Sequence, residues 1–77
     1  MKNYILVTGG AGYIGSHMTQ VLDEIKQPCV VMDNLSTGHR RFVPKAIPFI
    51  HGDLRNKKDI DKALKKFRID TVMHLAA

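Results

Sequence analysis

Four short apolar runs alternate with two amphipathic stretches along this chain. Tyr4-Ile5-Leu6-Val7-Thr8 is continuous and partly β-branched, which predicts a strand buried on both faces. Ile14, Met18, Val21, Leu22 and Ile25 then recur at helical spacing, and Gln27-Pro28 ends that helix. Cys29-Val30-Val31-Met32 predicts a second buried strand that ends at Asp33. Residues 34–46 are a polar connection, too poor in apolar periodicity for a full helix. Ile47-Pro48-Phe49-Ile50-His51 predicts a third strand, with Pro48 marking an edge or a strand start. Asn56 is placed to cap a second helix, with Asp59 at its third position and Ile60, Ala63, Leu64 and Phe67 on its apolar face. Asp70-Thr71-Val72-Met73-His74-Leu75 predicts the fourth strand.

The order β-α-β-loop-β-α-β implies parallel strands joined by right-handed crossovers. The expected fold class is α/β, a partial doubly wound parallel sheet of Rossmann type. Its four strands would lie in the order 3-2-1-4. Length fits this reading, since 77 residues make one small domain at most. An apolar content of 44% argues against disorder. No apolar run approaches a membrane span and no leader precedes the first strand, so the expectation is a cytoplasmic protein without a membrane partner. A single cysteine, Cys29, excludes an intrachain disulfide; its apolar surroundings predict a buried, inert thiol.

The net charge of +5 raises the question of nucleic acid. Most of the excess falls on the second helix as Lys57, Lys58, Lys62, Lys65 and Lys66, interleaved with Asp59 and Asp61. A solvated helix face accounts for that cluster, and no nucleic-acid partner is expected. His17, His39, His51 and His74 lie on a helix, a loop and two strands, which suggests no metal site.

The chemistry sits between the first strand and the first helix. Gly10-Ala11-Gly12-Tyr13-Ile14-Gly15 matches G-x-G-x-x-G, and Gly9, Gly12 and Gly15 also form the G-x-x-G-x-x-G variant. A strand precedes the motif and a helix opens within it, the context that gives such a pattern meaning. Glycines there permit a tight turn, a close approach of backbone to a pyrophosphate, and close helix–strand packing. The helix N-terminus offers unpaired N–H groups and a positive dipole end. Asp33, 24 positions after Gly9 at the end of the second strand, is placed to bond the adenosine ribose. A carboxylate there repels a 2′-phosphate, so the expected cofactor is NAD; Arg40 and Arg41 are the counter-argument for NADP. Asp53, in Gly52-Asp53-Leu54 after the third strand, has two readings of nearly equal weight: an acceptor for the adenine amino group, or a local cap.

Residues 7–17, Val31-Met32-Asp33-Asn34-Leu35-Ser36-Thr37-Gly38-His39, Gly52-Asp53-Leu54-Arg55 and Val72-Met73-His74-Leu75-Ala76-Ala77 resemble the extended short-chain dehydrogenase/reductases. Tyr13 and the Asp-Asn-Leu-Ser stretch narrow the resemblance towards the branch that epimerises UDP-hexoses at C4. Sugar-nucleotide dehydratases and decarboxylases share enough of the pattern to remain alternatives. The resemblance implies that Gly9, Gly12, Tyr13, Ile14 and Gly15 line the NAD pyrophosphate. It implies that Asp33 and Asn34 hold the ribose, with Leu35, Ser36, Thr37 and Gly38 closing over it. Asp53 and Leu54 would contact adenine, and Leu75, Ala76 and Ala77 would lie towards the nicotinamide.

In this family NAD takes hydride from C4 of a UDP-hexose, and the 4-keto sugar turns over before hydride returns. UDP-glucose and UDP-galactose are interconverted in this way by an enzyme that is often a homodimer. The family's base is the Tyr of a Tyr-x-x-x-Lys pair. Here Tyr4 is followed four positions on by Thr8, and Tyr13 by His17, so neither matches. The expectation is therefore that residues 1–77 are the N-terminal part of a dinucleotide-binding domain, with no catalytic residue and no substrate domain, inactive alone. A non-catalytic nucleotide-binding module is the second reading. Gln27-Pro28 also departs from the family, which commonly turns there with glycine.

Overall fold

The computed structural model describes residues 2–9, 11–35 and 39–75. In chain order these form β1 (Tyr4–Thr8), α1 (Tyr13–Glu24), β2 (Cys29–Asp33), a single 3-10 turn (Arg40–Phe42), β3 (Phe49–His51), α2 (Lys57–Lys66) and β4 (Ile69–His74). The strands make one sheet in the order β3-β2-β1-β4, and every pairing is parallel. The expected topology is therefore the observed one.

Alternation along the strands sends side chains to two layers. Val7 and Val31 pack on one face with Leu22 of α1, Val43 and Ile47, and Met18 adds partial cover. Leu6, Val30, Met32 and Ile50 pack on the other with Ala63 of α2, flanked by Phe67 and Ile69. The helices thus cover opposite faces, as a doubly wound sheet requires. All five residues of β2 are buried, which explains why it reads as an unbroken apolar run up to Asp33.

The helix ends differ in a way that bears on function. Asn56 caps α2, its side chain accepting from the Lys58 N–H at 3.0 Å. Helix α1 begins at Gly12 with no side-chain cap and no acidic residue in its first turn. Its other end closes as a Schellman turn: the Gln27 N–H donates to Leu22 and the Lys26 N–H to Asp23. Lys26 takes a left-handed φ of 63° there. The turn that commonly uses glycine is therefore made here by a lysine one residue before Gln27-Pro28.

Three sequence expectations shift. The third strand starts at Phe49, because Pro48 stands just before it and contributes its carbonyl to the Val31 N–H at 3.0 Å. Ile47 is nonetheless buried, and Val43 within the polar connection is buried as well, so the segment before β3 supplies two core residues. On α1 the buried side carries Gly15, Ser16, Thr19 and Leu22, whereas Ile14, Val21 and Ile25 are exposed. Leu64 on α2 is exposed as well.

Candidate cofactor site

The parallel sheet brings the C-terminal ends of its strands to one edge, and there lies a cleft of about 320 Å³. Thr8 and Gly9 from the end of β1, Asp33 and Asn34 from β2, and Gly52 to Arg55 after β3 line it, with His74 from β4. Five residues chosen from the sequence thus meet in one place: Gly9, Asp33, Asn34, Asp53 and Leu54.

Asp33 is the pivot of this edge. Its Oδ2 accepts from the Ala11 N–H at 2.9 Å and its Oδ1 from the Leu35 N–H at 2.7 Å. One carboxylate therefore ties the glycine-rich turn to the chain leaving β2. The Asp33 carbonyl also receives the Gly52 N–H at 3.1 Å, which fixes the exit of β3 beside it. A carboxylate has about four lone-pair sites, so Asp33 keeps acceptor capacity towards the cleft.

The glycine turn has its own internal logic. Gly9 needs to be glycine because its φ is 76°. Gly12 does not need to be, as far as the protein is concerned. Its φ is −80°, and a Cβ there would meet Gly9 O at an ordinary 3.5 Å. Among the described residues, the N–H groups of Tyr13, Ile14 and Gly15 find no acceptor, while that of Ser16 already pairs with Gly12 O at 2.8 Å. A bare helix start with room above it suits an anion.

Asp53 makes the local bonds of its second reading and lines the cleft as well. Its carboxylate forks onto Arg55, with Nη2 to Oδ2 at 2.8 Å, and accepts the Arg55 N–H at 2.9 Å. It also accepts from Asn34 Nδ2 at 3.2 Å and lines the cleft. The Arg55 bonds, aided by Asn34, hold the Asp53 carboxyl well below the usual carboxylate range. The neighbouring Leu54 N–H has no acceptor among the described residues.

Other sequence-chosen residues stand elsewhere. The Tyr13 side chain is exposed and meets His17 edge-on, and Ile14 also faces out. Leu35 turns its side chain into the α1-side core from a left-handed φ of 61°, and Leu75 packs into the same cluster while its N–H pairs with Thr8 O. Ser36, Thr37, Gly38, Ala76 and Ala77 lie outside the described residues. Arg40 sits over the Phe49 ring at 4.8 Å and donates to Val43 O, and Arg41 sits over Phe42. Neither arginine lines the cleft that Asp33 occupies. Burial pushes the Cys29 thiol up, as its apolar setting predicts.

Sequence reasoning passed over two contacts of this edge. Thr8 Oγ1 lies 2.7 Å from His74 Nδ1, joining β1 to β4 at the cleft floor. Asp59, expected as part of a helix cap, instead accepts the Asp53 N–H at 3.0 Å. Only the fold brings either pair together.

Residues 5–77 match the NAD dependent epimerase/dehydratase family. The chain belongs to that family. Among its relatives, the UDP-glucose 4-epimerase of Azospirillum brasilense is 44% identical over 72 residues, covering 94% of this chain and 21% of the relative. The UDP-glucose 4-epimerase of Halalkalibacterium halodurans is 47% identical over 73 residues, covering 95% and 22%. The fold is similar to the crystal structure of the Thermus thermophilus UDP-glucose 4-epimerase in complex with NAD. That match has a TM-score of 0.91 and 47% identity over 96% of this chain and 24% of that one. The Brucella ovis UDP-glucose 4-epimerase, also in complex with NAD, gives a TM-score of 0.89 at 40% identity, covering 97% and 23%. This epimerase/dehydratase family chain therefore spans a little over a fifth of the length of these relatives. No helix among its described residues is long and apolar enough to cross a membrane.

Proposed function

We propose that this chain binds the adenosine and pyrophosphate portion of NAD as the first part of the dinucleotide-binding domain of a UDP-glucose 4-epimerase. The observation that carries the proposal is the position of Asp33. Its buried carboxylate is fixed by the glycine turn on one side and by Leu35 on the other, at the C-terminal edge of a parallel sheet. That edge is where doubly wound sheets bind their ligands.

The residues present fit the cofactor. The uncapped start of α1 and the unforced glycine at position 12 suit a pyrophosphate; Asp33 and Asn34 suit the ribose. The Asp53 carboxylate followed by the free Leu54 N–H offers an acceptor and then a donor, the complement of adenine's amino group and N1. Bound NAD supplies the hydride acceptor for oxidation of a sugar carbon. This chain's residues bind and orient it, and Asp33 excludes the 2′-phosphate by charge. UDP-hexose turnover is assigned to residues outside these 77, which contain no Tyr-x-x-x-Lys pair.

Nuclear magnetic resonance titration tests the cofactor assignment. We expect weak binding of NAD, visible at millimolar concentration as shifts of the Gly9, Asp33 and Leu54 amides, with NADP weaker still. Asp33→Asn removes the charge and should cut the NAD-over-NADP preference by roughly tenfold, the scale of one charge-assisted hydrogen bond. Equal binding of NADP by the unsubstituted chain, or no shift with NAD, would overturn the assignment.

A further inference from the structure

We infer that Asp59 is a positioning residue that sets which base the cleft accepts. The inference rests on the nucleotide reading of the cleft given above. Asp59 is the third residue of α2, where an acid ordinarily turns back to the N–H of the capping residue. Here that N–H belongs to Asn56 and is already taken by the Asp53 carbonyl at 2.9 Å. The Asp59 carboxylate instead reaches under the Gly52-Asp53 turn, and its Oδ2 accepts the Asp53 N–H at 3.0 Å.

Gly52 is what makes that reach feasible. A Cβ at position 52 would lie 2.8 Å from Asp59 Cγ, 2.9 Å from Oδ2 and 3.0 Å from its Cβ. No side chain fits there unless the carboxylate leaves. Gly52 takes no left-handed φ, so its need for glycine comes from Asp59 and not from its own backbone.

The consequence is a count of donors. With its N–H taken by Asp59, Asp53 presents no free backbone donor, and of the two backbone N–H groups at Asp53-Leu54 that of Leu54 alone has no acceptor among the described residues. The Asp53 carboxylate followed by that N–H, acceptor then donor, matches adenine, whose edge carries an amino donor beside the N1 acceptor. Hypoxanthine reverses it, with a carbonyl acceptor beside an N1–H donor. Losing the Asp59 carboxylate frees the Asp53 N–H, so the turn gains a donor facing no partner and loses the polarity that tells the two bases apart.

The test titrates the 77-residue chain with AMP and with IMP, read from amide shifts. The unsubstituted chain should prefer AMP by about tenfold or more, since a site built to hydrogen-bond one pattern rejects its reverse. Asp59→Ala should weaken AMP by about tenfold, the scale of one hydrogen bond to a charged group, and bring the AMP-to-IMP ratio near unity. Asp59→Asn keeps a carbonyl acceptor and should restore most of the ratio. Gly52→Ala displaces the same carboxylate without deleting it. It should lower the ratio alone and add little to Asp59→Ala, and it serves as the second route if Asp59→Ala unfolds.

A ratio unchanged in Asp59→Ala and Gly52→Ala, with stability alone reduced, overturns the inference and leaves the nucleotide reading standing. AMP binding without preference over IMP in the unsubstituted chain does the same. No AMP-induced shift at Asp33 or Asp53 in the unsubstituted chain overturns both.

Discussion

Single carboxylates carry most of the functional information in this chain, and their surroundings decide what each one does. Asp33 could be singled out in the sequence because it stands at a fixed distance from a glycine motif and at the end of an apolar run. That it would spend one oxygen on Ala11 was not legible, because the partner lies 22 residues away and only the parallel pairing of β1 and β2 brings them together. Asp53 shows the opposite case: its partner Arg55 is two residues on, so its ion pair is local and was open to a sequence reading.

That pair gives a titration prediction. The Asp53 carboxyl is depressed by Arg55, so its contribution is present above the ordinary aspartate range near ~3.9 and is lost as pH falls through its lower folded value. A carbon-detected titration should find the Asp53 midpoint below the ordinary aspartate range. Arg55→Gln should move it up towards that range. Because Arg55 is largely exposed, the shift should shrink in high salt. A midpoint that ignores Arg55→Gln would remove the ion pair as its cause.

Elements were more legible than their faces. Each strand and both helices follow from apolar runs and their spacing, and Asn56 is readable as a cap by residue type alone. The buried side of α1 is not. The large apolar residues Ile14, Val21 and Ile25 centre roughly a quarter turn from Gly15, Thr19 and Leu22, at 100° per residue. Periodicity weighs large side chains, but a helix lying close on a sheet favours small ones at the point of approach. Thr19 is fully buried and makes its hydroxyl harmless by donating to Gly15 O at 2.6 Å.

Two substitutions on the same arc of the sequence pattern separate these faces. Leu22→Ala removes a core contact and should destabilise the chain by about 2–4 kcal/mol in urea unfolding. Ile25→Gln, at a position 66% exposed, should change stability by less than about 0.5 kcal/mol. Equal effects would mean that α1 sits on the face its large residues suggest.

At the scale of the molecule, the sheet has two unlike edges. β3 has three residues and a proline before it, features that blunt an edge. β4 has six, and Val72 on it is 53% exposed. The cleft lies on the β3 side of the switch between β1 and β4, where the glycine turn, Asp33 and the Asp53 turn converge. His74 is the residue of β4 that reaches it, and it is held by Thr8. The β1–β3 side of the cleft therefore gathers the carboxylates of Asp33 and Asp53, while β4 brings the His74 imidazole to it.

Neither tyrosine stands in a Tyr-x-x-x-Lys pair. Tyr4 packs edge-on against Phe67 at the far end of β1, and Tyr13 points to solvent beside His17 with no lysine four residues on. The purified 77-residue chain, given NAD and UDP-galactose, should form no UDP-glucose over hours in a coupled assay. The same preparation should still show amide shifts with NAD. Turnover that survives repurification and is abolished by Tyr13→Phe would place the base within this chain and refute its assignment elsewhere.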